Sequence, residues 1–154
     1  MNNLANYSTS ATKSNKSIIT FKDKGESRKI SFNNPEQLEI IEIKIDGGLI
    51  CNVKMVKCDY MLYIPSGYKY RENYIELKGS DIAHAVEQII STVQYLLRNA
   101  SGSIKKDNER KGYIISRRVP KADTSVQTHK ERMKKSYNLN LVVRTGTFTE
   151  TLAC

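Results

Sequence analysis

Val56-Lys57-Cys58-Asp59-Tyr60-Met61-Leu62-Tyr63-Ile64, a Pro65-Ser66-Gly67 break, Tyr74-Ile75-Glu76-Leu77-Lys78 and then the long run 81–98 decide the fold. The first and third pieces are short, rich in β-branched and aromatic residues, and separated by turn formers. That predicts two strands joined by a loop. In the last piece the period lengthens. Ile82, Val86, Ile89, Val93, Leu96 and Leu97, with Ala85 and Ile90, recur at helical spacing, so residues 81–98 should form an amphipathic helix. Ser80 is the expected N-cap and Asp81 complements the positive helix start. Asn99-Ala100-Ser101-Gly102 should end it.

Working outward, Ile41, Ile43 and Ile45 alternate with Glu42, Lys44 and Asp46, a half-buried strand over 39–45. Asp46-Gly47-Gly48 reads as a turn, with Leu49-Ile50-Cys51 starting a return strand. Ile30 to Phe32 forms a short strand before the Asn33-Asn34-Pro35 break. Residues 112–119 make another strand, 128–136 a short basic helix and 139–144 a last strand. The order of hairpin, strand, strand, helix, strand, helix, strand predicts an α/β (α+β) domain with a mixed central sheet and flanking helices. Residues 1–17 are polar and Ser/Thr/Asn-rich, so they are expected to be a flexible lead into one domain over 18–150.

The chain of 154 residues has a mean hydropathy of -0.51, lean but sufficient for one core. No apolar stretch reaches the roughly 18–20 residues of a membrane span, and no short apolar block marks a secretory leader. Cys51, Cys58 and Cys154 are an odd number without metal-ligand spacing. Reduced thiols in a cytoplasmic protein are the expectation.

The net charge of +9 is unevenly spread, with residues 31–103 slightly acidic and 104–135 holding eleven basic against four acidic side chains. An acidic middle beside a basic block suits a site that holds a cation and grips a phosphate backbone. A solvated charged surface is the plain alternative.

Two neighbouring strands each embed a carboxylate in apolar sequence: Asp59 after Cys58, and Glu76 between Ile75 and Leu77, with Lys78 two positions on. Strand alternation should turn Glu76 and Lys78 to one side and Ile75 and Leu77 to the core. Two carboxylates bind a hard cation through oxygen and leave room for water and a phosphate oxygen. A lysine beside them can stabilise developing transition-state charge. A salt-bridged strand pair with no chemistry is the alternative.

This Asp59, loop, Glu76-Leu77-Lys78, long-helix arrangement resembles the PD-(D/E)xK nuclease superfamily, with its restriction-endonuclease-like fold, over roughly residues 39–119. The resemblance implies Asp59 and Glu76 as ligands of Mg²⁺ (or Mn²⁺) and Lys78 as the catalytic lysine. Cys58 stands where many members have proline. An early helical glutamate can be assigned only loosely, to Glu36, Glu39 or Glu42. Gln88, one turn after His84, is the candidate for the polar helix residue many members carry, and His84 itself reads as a surface residue. A second Glu-x-Lys, Glu42-Ile43-Lys44, lacks the preceding Asp and the following helix, and reads as a decoy.

For phosphate contact the candidates are Arg117 and Arg118 after the late strand, and Lys130, Arg132 and Lys134 along the basic helix. The tyrosines around 60–74 read mainly as packing, with base stacking as the lesser use. The expected function is a metal-dependent deoxyribonuclease, an endonuclease-like phosphodiester hydrolase serving phage defence, restriction or repair. DNA is the expected partner, RNA stays open, and specificity would come from loops, a partner or a homodimer. The alternative is a catalytically inactive nuclease-fold protein that binds nucleic acid or a protein partner, and it is separated by indifference to chelator.

Overall fold

A computed structural model describes residues 10–51, 53–65, 68–79, 81–117 and 124–153, without the side chains of Lys78 and Thr124. The elements are β1 (Ala11–Ser14), β2 (Ile18–Lys22), β3 (Lys29–Asn33), β4 (Ile40–Lys44), β5 (Tyr60–Tyr63), β6 (Tyr70–Gly79), α1 (Ile82–Asn99), β7 (Glu109–Ser116), α2 (Thr124–Tyr137), β8 (Leu139–Thr145) and β9 (Thr147–Thr151). A six-stranded sheet runs β1-β4-β5-β6-β7-β8, and a three-stranded sheet runs β2-β3-β9. The larger sheet is mixed: β1, β4, β5 and β6 are mutually antiparallel neighbours, while β6, β7 and β8 run parallel. The expected α/β class with a mixed sheet and flanking helices is what the chain forms.

Alternation along the strands explains the layering. Ile41, Ile43, Met61, Tyr63 and Tyr74 face the helices and meet Val86, Ile89, Val93 and Leu96 of α1. Ile40, Leu62, Ile75 and Leu77 face the other way and meet Ile19, Phe21, Ile30 and Phe32 of the small sheet. The large sheet is therefore covered on both faces. Helix α1 sits close: a Cβ on Gly112 of β7 would lie 3.0 Å from Leu139 Cδ2 and 3.4 Å from Ile89 Cδ1. No helix among the described residues is long and apolar enough to cross a membrane.

Several expectations are corrected. Within the lead 1–17, Ala11–Ser14 pairs with β4 as an edge strand; its polar composition fits because backbone hydrogen bonds, not burial, hold it. Residues 1–9 lie outside the described residues. The return strand at 49–51 does not form: the turn leaves only an isolated Asp46–Ile50 bridge, and β4 pairs with β5 instead. The strand expected over 56–64 shortens to Tyr60–Tyr63, with Val56 45% exposed. Ser80 also lies outside the described residues, and Asp81 caps α1, its Oδ1 accepting from the His84 N–H at 3.2 Å. Strand β2, whose Ile19 and Phe21 are buried in alternation with exposed neighbours, and the polar strand β9 add to the strands expected above.

Glu72 on β6 and Arg110 on β7 are both fully buried, with Nε 2.8 Å from Oε1. Tyr74 Oη (2.6 Å) and Asn108 Nδ2 (2.8 Å) also donate to Glu72. The remaining Arg110 N–H groups donate to the carbonyls of Asn108, Tyr137 and Lys105 at 3.1, 2.8 and 2.6 Å. Arg110→Met should cost roughly 3–5 kcal/mol, because it strands a buried carboxylate. Adding Glu72→Leu should recover only part of that, since the Lys105 and Tyr137 carbonyls still lose their donor. Chemical denaturation of the single and double variants checks this, and full recovery in the double variant would contradict it.

Candidate functional site

The site begins where the β5–β6 ladder ends. Asp59 directly precedes β5; its N–H donates to the Ile75 carbonyl at 3.1 Å and its carbonyl accepts from Ile45 N–H at 3.0 Å. Its side chain then takes over, with Oδ2 accepting from the Leu77 N–H at 2.8 Å. That bond sets the Asp59 carboxylate against the strand segment carrying Glu76. Glu76 lies on the same face as Tyr74, toward α1, by alternation. Both are secluded, Asp59 at 8% and Glu76 at 2% exposure. Cys58 reports on both neighbours. Burial pushes its thiol well up and the Thr92 contact draws it down, while the negative charges of Glu76 and Asp59 raise it further.

Helix α1 holds the approach to Asp59. The buried Cys58 N–H donates to Thr92 Oγ1 (3.0 Å), whose hydroxyl donates to the Gln88 carbonyl (2.7 Å). Gln88 Nε2 donates to the Lys57 carbonyl at 3.1 Å. Gln88 thus positions residues 57 and 58. Lys78 is placed by its backbone on β6, two residues beyond Glu76, next to a register irregularity before Gly79. His84 is exposed and caps through its backbone, as a surface residue would.

Residues distant in sequence complete the surroundings. A hollow of about 160 Å³ is lined by Asp23, Lys44, Asp46, Asp59 and Tyr60. Asp23 comes from the β2–β3 loop, and its Oδ1 accepts from Tyr60 Oη at 3.0 Å. Burial and then Asp23 push the Tyr60 hydroxyl up to about 12. Sequence reasoning missed Asp23, and it read Asp46 as turn geometry and Lys44 as half of a decoy. The one available signal was the Asp46-Gly47 turn, which has to end beside the start of β5 if β4 and β5 pair. Among the described residues no group of three or more His, Cys, Asp or Glu side chains is arranged to hold a metal ion. Mg²⁺ is commonly held by only one or two carboxylates, with waters filling its other positions.

The basic candidates on α2 lie elsewhere. Helix α2 packs on β8 and α1, and β8 is three strand spacings, about 14 Å, from β5. Arg132 Nη1 pairs with Glu87 at 3.0 Å, and Lys134 Nζ donates to Asn138 Oδ1 at 3.2 Å. Lys130 is half-buried and lines a separate hollow with Lys134 and Leu141. Arg117 follows β7 at the same sheet end as Glu76, 3.7 Å from Glu26. Arg118 lies outside the described residues.

The Cys58 environment predicts a contrast in thiol reactivity. Iodoacetamide at mildly alkaline pH should modify exposed Cys51 and spare buried Cys58. Thr92→Val, which removes the acceptor for the Cys58 N–H, should speed Cys58 labelling and lower stability by about 1–3 kcal/mol. Peptide mass spectrometry after timed labelling reads both sites, and equal rates at Cys51 and Cys58 in the wild type would contradict the geometry.

Comparison with family models, curated proteins and solved structures gives no match for this chain.

Proposed function

We propose that this chain is a divalent-metal-dependent nuclease that hydrolyses phosphodiester bonds of DNA. The observation that carries the reading is the Asp59–Leu77 hydrogen bond, which sets the secluded Asp59 carboxylate against the strand segment that carries the secluded Glu76. The antiparallel β5–β6 pair followed directly by α1 supports it, since the resemblance implies that context. Water-poor surroundings strengthen every charge interaction there.

In this reading Asp59 and Glu76 hold the cation, Mg²⁺ or Mn²⁺, which when bound supplies charge neutralisation and a more acidic water. Lys78 donates to the phosphoryl oxygens as their charge grows, a contribution realised in the transition state. Gln88 and Thr92 act on the chemistry only by fixing Lys57 and Cys58, and through them Asp59. The reading of an inactive nuclease-fold binding protein draws on the same Gln88, whose amide is committed to Lys57.

Wild-type protein should cut DNA with Mg²⁺ or Mn²⁺ and stop with chelator. Asp59→Asn keeps an oxygen that can accept from Leu77 N–H, so the fold should persist while metal affinity and cleavage fall together. Glu76→Gln should behave likewise. Lys78→Ala should bind metal as wild type does yet lose about two or more orders of magnitude in turnover. Titration calorimetry with gel-based cleavage assays separates these effects. Undiminished cleavage by Lys78→Ala, or no cleavage by the wild type on supercoiled, linear, single-stranded or branched DNA, would favour the inactive binding protein.

A further inference from the structure

The hollow beside Asp59 has a neighbour. A second depression of about 340 Å³ shares Lys44 and Tyr60 with it and continues to Thr12, Thr20 and Lys22. The two together form a trough where the β1–β4 margin of the large sheet meets β2 of the small one. Its far wall includes Glu42, and Lys16 Nζ holds that carboxylate at 2.8 Å. Lys22 and Lys44 form no ion pair among the described residues. Arg132, Lys134 and Arg117 differ, because each already has an intramolecular partner. A phosphate approaching the trough meets two lysines held in no ion pair; one approaching Arg132 or Lys134 has to displace Glu87 or Asn138.

Tyr60 stands at the junction of the two depressions and is held in place. Its ring packs on Phe21 with centroids 5.3 Å apart, and its hydroxyl is bonded to Asp23. A half-exposed, fixed aromatic ring beside lysines is the pairing that single-stranded nucleic acid uses, with bases against the ring and phosphates on the cations. The dimensions point the same way, since depressions of a few hundred Å³ enclose small-molecule-sized segments, a nucleotide or two of one strand. At the Asp59 end the acidic lining repels phosphate until a cation is present, which is where the proposed reaction needs one.

Resting on the nuclease reading above, we propose that this trough is the track for a single strand of nucleic acid. Lys22 and Lys44 grip its phosphates, and Tyr60 presents an aromatic wall on the way to Asp59.

The test is equilibrium binding of a labelled single-stranded oligonucleotide to the full chain across a salt series, in chelator so that no cleavage intervenes. Lys22→Ala/Lys44→Ala should weaken binding by roughly tenfold or more at low salt and flatten the log–log salt slope by about 1.4, at 0.7 per lost contact. Lys130→Ala/Lys134→Ala should leave the slope unchanged, and duplex of the same sequence should bind more weakly than the single strand. Both lysine pairs are checked for unchanged thermal melting. Unchanged binding by the Lys22/Lys44 variant, loss in the α2 variant instead, or preference for duplex each overturns the track. Metal-dependent cleavage by the wild type alongside any of these leaves the nuclease reading standing. A wild type that binds the strand through Lys22 and Lys44 yet cuts nothing upholds the track and removes the nuclease reading. One that neither binds nor cuts removes both.

Discussion

The buried Glu72–Arg110 pair is the constraint on which the rest of the structure depends. Taking both charges out of water is costly, and burial alone pushes the Glu72 carboxyl up, with Arg110 and the bonds from Tyr74 and Asn108 acting in the opposite sense. Such a pair is tolerable only when the remaining donors and acceptors are met. Here they are met by groups from several elements: Tyr74 on β6, Asn108 and Lys105 before β7, and Tyr137 at the end of α2. The network therefore fixes more than one contact. It sets the parallel register of β6 on β7, pins the end of α2 and closes the loop after α1. Glu76 stands four residues farther along the same strand, about 13 Å away at strand rise. Locking β6 at Glu72 locks the position from which Glu76 projects.

The opposite end of β6 is built on another principle. There the ladder runs out of backbone partners, and the Asp59 side chain supplies the missing acceptor to Leu77. A carboxylate recruited to finish a sheet is held as rigidly as backbone. Helix α1 reinforces this from the other side through Thr92 and Gln88. Both sheet faces are covered, one by helices and one by the small sheet, so the ends of the strands are where a ligand can reach such groups. The carboxyl ends of β6 and β7, the start of β5 and the β2–β3 loop all gather at one such end. Arg117 and Asp23 arrive there by topology, from positions 94 residues apart in the chain.

What was legible in the sequence follows from how local each signal is. The alternation of Ile41, Ile43 and Ile45 and the stripe from Ile82 to Leu96 are periodic within one element, so β4 and α1 were readable. Asp59 and Glu76 stood out because a carboxylate inside an apolar strand needs a reason. Strands β1 and β9 gave no such signal. Both are polar edges held by backbone pairing, β9 running parallel to β3 across more than a hundred intervening residues. Arg110 was invisible for a related reason: within Glu109-Arg110-Lys111 it looks like one more surface cation, and only the fold reveals that it is fully buried while its neighbours stay half-buried.

The same distinction separates the two basic regions. Counting charges directs attention to residues 104–135, where cations are dense. Density is a poor guide to phosphate binding when the charges are already engaged: Arg110 is entombed, Arg132 is paired with Glu87 and Lys134 is turned to Asn138. Lys22 and Lys44 belong to stretches of unremarkable composition, one on β2 and one on β4, and no sequence window brings them together. Packing one sheet on the other does so, beside Tyr60 and in line with Asp59. An ammonium group held in no ion pair gives up less on meeting a phosphate than one that has to leave a partner first. Two lysines that packing brings together in one trough can therefore matter more to recognition than Arg132 and Lys134, which already have partners on the protein.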